Sequence, residues 1–291
     1  MVIVQLTGGL GNQLFQYAMG YALATKHNVP LKLDINFFAT YEWHEYSLAP
    51  LNLSAPIATT TEIQQLKQRN YSRWQRFKQA IFTTTPIIIE ERNLLYDATY
   101  LNAGSNCYYV GYWQCEHYFK DLRTALLAEF TVTIPPSHYN AQILESIANT
   151  TNAVSLHVRR GNFVSVDRVN AVHGTASLNY YQKAVEYIVE QCNTTPTFYV
   201  FSDDVAWAKQ NIVLNYTTVF IDANDAKTDY EDLRLMSACN HNILANSTFS
   251  WWGAWLNTNP SKIVVAPKQW FADVEKNKEA VHIIPSDWIS L

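Results

Sequence analysis

Charged residues are scarce in this sequence: they make up 16% of its 291 residues, and the formal net charge is -4. No long basic run is present, which excludes nonspecific nucleic-acid binding as the main role. No apolar run approaches the roughly 18 residues that a membrane-spanning helix needs. The opening segment, Met1–Leu6, lacks the basic start of a signal peptide. Any phosphate that the protein binds must therefore be held by a few well-placed groups.

Cysteine is also rare, and the four cysteines form no CxxC pair. So few thiols in a chain of this length predict reduced cysteines and a cytoplasmic protein. The sequence is rich in aromatic residues, at 14%, and this content is compatible either with core packing or with sugar binding.

Short apolar runs alternate with helical stretches along most of the chain. The runs predicted as buried strands are Val2–Leu6, Leu31–Leu33, Ala153–Val158, Thr197–Phe201, Thr218–Ile221, Ile243–Ala245 and Ile263–Ala266. The predicted helices are Asn12–His27, Leu178–Cys192 and Asp229–Cys239. This alternation predicts an α/β fold with parallel sheets. It begins twice, at Met1 and near Ala153, so we predict two domains, 1–150 and 151–291.

A glycine-rich segment, Gly8–Gln13, follows the first predicted strand. Glycines there allow positive φ and close approach of the backbone to a ligand. A phosphate-binding P-loop is excluded because no Gly-Lys-Ser/Thr follows, and Leu14 stands where a dinucleotide fingerprint needs a small residue. The segment is either a ligand loop or a tight strand-to-helix turn.

Two adjacent arginines, Arg159 and Arg160, follow the strand that begins the second half. In open α/β sheets this edge is where ligands bind. Guanidinium groups fit phosphate oxygens bidentately, so the pair points to an anion. Neighbouring side chains point in opposite directions, and we expect one arginine to face the ligand and the other to brace the loop. The alternative is that structural carboxylates hold both.

Two further segments also end predicted strands. Asn246–Ser250 begins a helix with several hydroxyl groups, which cap a helix and can also bind a diphosphate. Ser202–Asp204 carries two acids that read either as a metal site or as a helix cap. With arginines available for the diphosphate, we expect no metal.

Taken together and in this order, these segments resemble the α-1,2-fucosyltransferase family, and they look like a bacterial member of it. The matching stretches are Gly8–Ala18, His157–Asn162, Phe201–Asp204, Asp232–Cys239 and Asn246–Leu256. One position departs from the family pattern, because Asn162 stands where the family has Asp.

The resemblance implies two Rossmann-like domains with a cleft between them, the arrangement called GT-B. It implies transfer of L-fucose from GDP-fucose to the 2-hydroxyl of a terminal β-galactose on an oligosaccharide, with inversion and without cofactor or metal. The acceptor glycan would be the source of any peripheral membrane association. By the same resemblance, the catalytic residues are Arg159 and His157, and Asp167 lies where related α-1,6 enzymes place a carboxylate that could act as the base. The alternatives are that Asp167 is a plain loop aspartate and that His173 is the base. The residues expected to bind the donor are Arg160, Asn162, Ser202, Asp203, Asn246, Ser247, Thr248, Phe249 and Ser250. The residues expected to line the cleft from the first domain are Gly9, Gly11, Asn12 and Gln13.

Three other functions stay open from the residues alone. A relative disabled at Asn162 would bind a GDP-sugar without catalysis, and a carbohydrate-binding protein would bind no nucleotide. A transferase using another nucleotide sugar is the third, since the residues do not reveal guanine selectivity.

Overall fold

The computed structural model describes residues 1–41, 43–67 and 88–291, with the side chain of Asn162 left out. These residues form two compact units, Met1–Thr131 and Val132–Leu291. Each unit contains one sheet, and every pairing between the described strands is parallel. The predicted α/β class with parallel sheets is confirmed.

The first unit has a sheet in the order β2-β1-β4-β3. Its strands are β1 (Val2–Gln5), β2 (Leu31–Asp34), β3 (Ile88–Glu90) and β4 (Cys107–Val110). Its α-helices in the described ranges are α1 (Leu10–His27), α2 (Thr60–Lys67) and α3 (Arg123–Glu129). Short 3₁₀ turns cover Asn36–Ala39, Ala98–Asn102, Glu116–Tyr118 and Lys120–Leu122.

Helix α1 packs closely on this sheet. Gly20 lies against the side chains of Val4 and Leu31 with no room for a Cβ, so a glycine is required at the contact. The helix ends at Asn28, which adopts the left-handed conformation (φ 50°). Asn tolerates this conformation better than most residues, which explains the sharp stop.

The second unit has a sheet in the order β10-β9-β8-β5-β6-β7. Its strands are β5 (Ala153–Val158), β6 (Thr197–Ser202), β7 (Thr218–Ile221), β8 (His241–Ile243), β9 (Val264–Ala266) and β10 (Ile289–Ser290). Its helices are α4 (His138–Ala148), α5 (Gly161–Ser165), α6 (Asp167–His173), α7 (Leu178–Gln191), α8 (Val205–Asn211), α9 (Asp229–Ala238), α10 (Thr248–Leu256), α11 (Val274–Glu279) and a 3₁₀ turn at Ala280–His282.

Strand β5 is buried throughout because helices cover both faces of the sheet. One face packs Leu156 and Val158 against α7, and the other packs Ala153 with α4 and α9. Burying a valine or leucine side chain stabilises the fold by about 1.5–3 kcal/mol. The helical spacing of Leu178, Tyr181, Val185 and Ile188 predicts one buried face of α7. Tyr181, Val185 and Ile188 do contact the sheet, but Leu178, in the first turn, is 45% exposed.

The two units divide earlier than the predicted boundary near residue 150. Helix α4 lies within the predicted first domain, 1–150, but in the structure it belongs to the second unit. Ile147 packs with Tyr199 and Leu235, and the hydroxyl groups of Ser146 and Tyr199 lie 2.8 Å apart. Since α4 shares the core of the second sheet, it folds with that sheet and not with the first unit.

All four cysteines lie in the described ranges, and none of them forms a disulfide bond. Among the helices of the described residues, none combines the length and apolarity needed to cross a membrane.

Candidate active site

Three neighbouring strands of the second sheet bring the predicted site residues to one edge. Arg159 follows β5, Asp203 follows β6, and Asn246 lies just beyond β8. The sheet order places β5 between β8 and β6, so the carboxyl ends of all three strands are adjacent. In open α/β sheets this edge binds ligands.

Arg159 forms an ion pair with Asp203 across this edge. Its Nη1 lies 2.8 Å from Oδ2 of the carboxylate. The other carboxylate oxygen, Oδ1, accepts a hydrogen bond from the backbone N–H of Arg160 at 2.8 Å. Gly161 is packed so tightly against Oδ2 that a Cβ would collide with it. Asp203 therefore fixes both the guanidinium group and the turn that carries it.

Arg160 is held in a different direction, toward helix α8. Its Nε lies 3.2 Å from the Asp204 carboxylate, and its guanidinium lies 3.9 Å from the centre of the Trp207 ring. Asp204 also caps the helix by accepting from the Trp207 N–H. Arg160 is therefore held by a structural carboxylate, which was the alternative to anion binding, and this arginine braces the loop. For Arg159 both readings remain, since Asp203 holds it at a sheet edge where its side chain stays 27% exposed.

His157 is buried beneath the arginines and carries an unused hydrogen-bonding atom. The residue is 4% exposed, and its Nδ1 has no hydrogen-bond partner within the described part of the chain. Burial, together with the charge of Arg159, lowers the pKa of His157 to about 3. The imidazole is therefore neutral at physiological pH, and one ring nitrogen is left for a ligand. Its ring lies 5.6 Å from that of Phe249 on α10.

The segment Asn246–Ser250 begins helix α10. Ser247 is the N-cap and accepts from the Phe249 N–H at 3.3 Å, while the hydroxyl of Ser250 donates to the Ser247 carbonyl. Thr248 is the first helical residue. Both predicted properties, a hydroxyl-rich start and a helix N-terminus, are present at the same sheet edge. The helix tryptophans Trp251 and Trp252 are fully buried, so they pack the core.

Asn246 connects this segment to two other loops. Its Nδ2 donates to the backbone carbonyls of His173 and Trp270, at 2.9 and 3.2 Å. Its Oδ1 makes no hydrogen bond among the described residues, although the side chain is only 4% exposed. Asn246 therefore has a structural role and also offers an acceptor. A pocket of about 290 Å³ next to it is lined by His173, Gly174, Ser177, Lys183 and Gln269 among others.

A stack of aromatic rings that the sequence analysis did not single out lies beside Arg159. The guanidinium carbon is 5.4 Å from the Phe163 ring centre. Phe163 stacks on His173 at 4.6 Å with an interplanar angle of 14°, and His173 contacts Phe271 at 5.3 Å. Burial, with the charges of Lys276 and Arg159, lowers the pKa of His173 to about 4. His173 is neutral at pH 7 and is placed near the arginine.

Two other predicted residues lie on the helices that follow the arginine turn. Asp167 is the first residue of α6 and is exposed. Asn162 lies within α5, and its side chain falls outside what the structure describes. Ser202 ends β6, and its hydroxyl accepts from the Asp204 N–H.

Two acids in the second unit were missed as candidates, Asp229 and Asp232 in the first turn of α9. Burial, followed by repulsion from Asp232, raises the pKa of Asp229 to about 7, and burial, with repulsion from Glu231, raises the pKa of Asp232 to about 6. Asn224 donates to Asp232 at 2.7 Å. Acids at a helix start ordinarily complement the helix dipole, so the sequence alone gives no sign of this perturbation. Such shifted carboxyls mark candidate functional groups.

The glycine loop of the first unit is a tight turn with dense internal bonding. Gly8 has φ 73°, and the amide of the buried Gln13 donates to the carbonyls of Gly8 and Glu45. Gln114 donates to Asn12 at 3.0 Å. Gly9 precedes α1 as its N-cap, and Gly11 is buried within that helix. Of the two alternatives, a tight strand-to-helix turn accounts for the contacts of these residues. Their position at a cleft stays a prediction.

No three His, Cys, Asp or Glu side chains come together as a possible cation site in residues 1–41, 43–67 and 88–291. Metal independence stays a prediction.

The chain consists of two α/β units with parallel sheets, and an arginine and a hydroxyl-rich helix start lie at one edge of the second sheet. It belongs to glycosyl transferase family 11, whose sequence profile matches residues 1–291. The family resemblance is therefore confirmed.

Several known proteins are similar to this chain. The O-antigen biosynthesis glycosyltransferase WbnK of Escherichia coli is 34% identical, over 98% of this chain and 99% of its own. An alpha-1,2-colitosyltransferase of Escherichia coli is 32% identical over 100% and 99%. Galactoside alpha-(1,2)-fucosyltransferase 2 of Sus scrofa is 26% identical over 88% and 69%. The solved structure of a mutant of Arabidopsis thaliana FUT1 in complex with GDP has a TM-score of 0.52, 10% identity, and coverage of 90% and 69%; this similarity concerns the fold.

Proposed function

We propose that this glycosyltransferase moves L-fucose from GDP-fucose to the 2-hydroxyl of a terminal β-galactose, forming an α-1,2 linkage. The observation that carries the proposal is that Arg159 and the helix start at Ser247–Ser250 follow the ends of two adjacent strands, β5 and β8. The motif resemblance and the fucosyltransferase of Sus scrofa support the choice of fucose. The proposed acceptor is a galactose-terminated oligosaccharide, met in the cytoplasm or at a membrane surface that carries the glycan.

The diphosphate would lie between the Arg159 guanidinium and the N-terminus of α10. As the fucosyl bond breaks, negative charge grows on the diphosphate, and preorganised donors stabilise it. Arg159 supplies a permanent charge, and the helix start supplies hydroxyl groups and a favourable dipole. His157 would use its unpaired Nδ1 toward the nucleotide, and the remaining polar residues of the edge would hold the donor in place.

The fucosyl group is β-linked in the donor and α-linked in the product, so the acceptor oxygen attacks from the face opposite the diphosphate. Its proton must pass to a base. We assign this role to Asp167, which is exposed at the start of α6, the second helix after the arginine turn. His173 is the rival, since it is neutral and close to Arg159.

A second donor is favoured by a specific observation, the 32% identity over the whole chain to an alpha-1,2-colitosyltransferase. Colitose is L-fucose without its 3-hydroxyl group. A site that accepts colitose need not hydrogen-bond that hydroxyl, whereas a site built around it would reject the deoxy sugar strongly. Comparing the two GDP-sugars therefore decides the donor.

The deciding experiment is to incubate the purified protein with GDP-fucose or GDP-colitose and a panel of lactose, lacto-N-biose and N-acetyllactosamine. Products are identified by mass spectrometry, and the linkage is identified by NMR. A fucosylated galactoside with an α-1,2 bond supports the proposal. Transfer of colitose but not of fucose would mean that the donor is GDP-colitose and not GDP-fucose. GDP binding in calorimetry with no release of GDP from either sugar would mean a noncatalytic binder; an Asn162→Asp variant that gained activity would locate the defect.

Metal independence is tested in the same assay. With excess EDTA we expect most of the activity to remain, because arginine and helix supply the positive charge. Complete loss that Mg²⁺ restores would contradict this part of the proposal.

A further inference from the structure

Five aromatic rings of the first unit gather at the carboxyl edge of its sheet. The side chains are Phe37, Tyr41, Trp43, His44 and Tyr112, and we call them the aromatic platform. Four of them follow β2 and the fifth follows β4, the two strands that flank β1 in the sheet. The loop after β1 contributes Gly9, where an added Cβ would come within 3.3 Å of the His44 ring. The platform thus lies where open α/β sheets bind their ligands.

The rings following β2 contact one another in a continuous series. Phe37 and Tyr41 have centroids 4.6 Å apart, Tyr41 and His44 are stacked at 6.1 Å, and Tyr41 and Trp43 are 6.4 Å apart. Burial raises the pKa of Tyr112, and the nearby phenol of Tyr41 raises it further. The four rings that follow β2 therefore form one surface, and Tyr112 lies at the same sheet edge, beyond the end of β4.

Two outer rings of the platform remain uncovered. Trp43 is 47% exposed and Tyr112 is 45% exposed. Large apolar rings placed together in water are unfavourable unless something binds them, and such patches mark interaction sites. Neither side chain is charged at neutral pH, so the surface does not favour a strongly charged ligand.

The backbone beneath the platform is fixed from both sides. The buried Gln13 donates to the Glu45 carbonyl and accepts from the Ser47 N–H at 2.9 Å, which anchors the segment after β2. On the other side the Glu91 carboxylate accepts from the N–H groups of Tyr112 and Trp113.

Trp113 adopts φ 57° in this turn, a conformation that bulky residues seldom take. Strained backbone of this kind is concentrated at functional sites, where it places a neighbouring group. Here the neighbouring group is the exposed ring of Tyr112. The turn therefore presents that ring to solvent at a defined position.

We propose that Trp43, Tyr41 and Tyr112 form the stacking surface for a pyranose ring of the acceptor glycan, an inference that rests on the proposed function. The C–H groups of one face of a β-galactoside are apolar and pack on aromatic rings, while its hydroxyl groups can bond the tyrosine hydroxyls. A rigid aromatic surface binds such a ring at low cost in conformational entropy.

The test compares Trp43→Ala, Trp43→Phe and the control Ile57→Ala, which removes a side chain of matched exposure (49%) from the same unit. For Trp43→Ala we expect the KM for lactose to rise about tenfold, with the KM for GDP-fucose and the rate of donor hydrolysis without acceptor unchanged. Trp43→Phe should recover part of the loss, and Ile57→Ala should match the wild type. If Trp43→Ala kept the wild-type acceptor KM, the inference would be wrong.

Binding without turnover separates this inference from the proposed function. In saturation-transfer NMR with lactose, the wild type should show the strongest signals at the galactose protons H3, H4 and H5, and Trp43→Ala should lose them. If no galactoside were a substrate but this difference remained, the function would fail and the surface would stand. Equal signals in both proteins would overturn the surface whatever the transfer assay gave.

Discussion

Arg159 and Asp203 form an ion pair of 2.8 Å at the edge of the second sheet, with both side chains about a quarter exposed. An exposed pair of this kind contributes about 0–1 kcal/mol to stability. Its value is geometric, because Asp203 also binds the backbone N–H of Arg160. We therefore interpret the pair as the device that points one guanidinium group at a diphosphate, and this interpretation can be tested at each partner.

Removing the Arg159 guanidinium should abolish most turnover and leave the fold intact. For Arg159→Ala we expect turnover to fall by about 10²–10³, the usual effect of losing one preorganised donor. Arg159→Lys should recover little, since an ammonium group lacks the bidentate fork. The matched control is Arg160→Ala, which loses the contacts to Asp204 and Trp207. This variant should have a lower melting temperature but keep most of its turnover. Near-normal turnover in Arg159→Ala would remove the arginine from the mechanism.

A methyl group at Gly161 should disturb the same pair through space. The new Cβ would collide with Oδ2 of Asp203, so the carboxylate must move away from Arg159. We expect Gly161→Ala to lower turnover about tenfold or more with a small change in the free energy of unfolding.

The control for this variant is Gly253→Ala in the core of the same unit, where the new Cβ would lie 2.8 Å from that of Met236. Overpacking there should cost about 1–3 kcal/mol of unfolding free energy while GDP affinity in calorimetry is retained. The reverse pattern, a destabilised Gly161→Ala with full turnover, would show that Asp203 does not position Arg159.

Much of this edge is predictable from local patterns, and the pairing across it is not. The largely apolar run Ala153–Val158 gives the strand limits correctly, since burial on both faces demands it. The contact of Arg159 with Asp203 depends on the parallel register that sets Val158 opposite Ser202. No local signal encodes that register, because β5 and the centre of β6 are buried on both faces and no solvent-facing side fixes the alignment of one strand against the other.

Short strands are the other elements that the sequence conceals, including β4, of whose four residues three are buried. In β3 only Ile89 is buried, and β10 has two residues. Strand β8 begins at His241, earlier than the apolar pattern suggests, because the polar Asn242 is satisfied inside the sheet by Ser155 at 2.7 Å. Similarly, the anchoring of Ser47 by Gln13 joins residues far apart in sequence, and no local motif announces it.

The general base is tested by a pair of substitutions chosen for shape. Asp167→Asn keeps the size of the side chain and removes its basicity, so turnover should fall by about 10²–10⁴ with the KM values little changed. His173→Phe removes the imidazole but keeps a ring that can stack between Phe163 and Phe271, and turnover should stay within about tenfold of the wild type.

The opposite result would exchange the two roles. If His173→Phe were inactive and Asp167→Asn active, His173 would be the base. Its pKa of about 4 means that the neutral, competent form would then be lost as the pH falls through about 4. The acidic limb of kcat/KM in the Asp167→Asn background is the measurement that would confirm the exchange.

The buried His157 should make the protein less stable in acid. Its pKa is lowered from 6.5 to about 3 in the folded state, so between these pH values the unfolded chain binds more protons than the folded one. Stability from the neutral imidazole is therefore complete above about pH 6.5 and is lost as the pH falls toward 3. Asp229 and Asp232, whose pKa values are raised, act in the opposite direction and mask part of this slope in the wild type.

A substitution isolates the histidine from those two acids. When the pH is lowered from 7 to 4.5, we expect the wild type to lose about 2–3 kcal/mol more unfolding free energy than His157→Gln loses. His138→Gln, an exposed histidine at the start of α4, should behave like the wild type. Denaturant unfolding at the two pH values gives the comparison. Parallel losses in His157→Gln and the wild type would mean that the imidazole is not held neutral by burial, and its proposed contact with the nucleotide through Nδ1 would lose its basis.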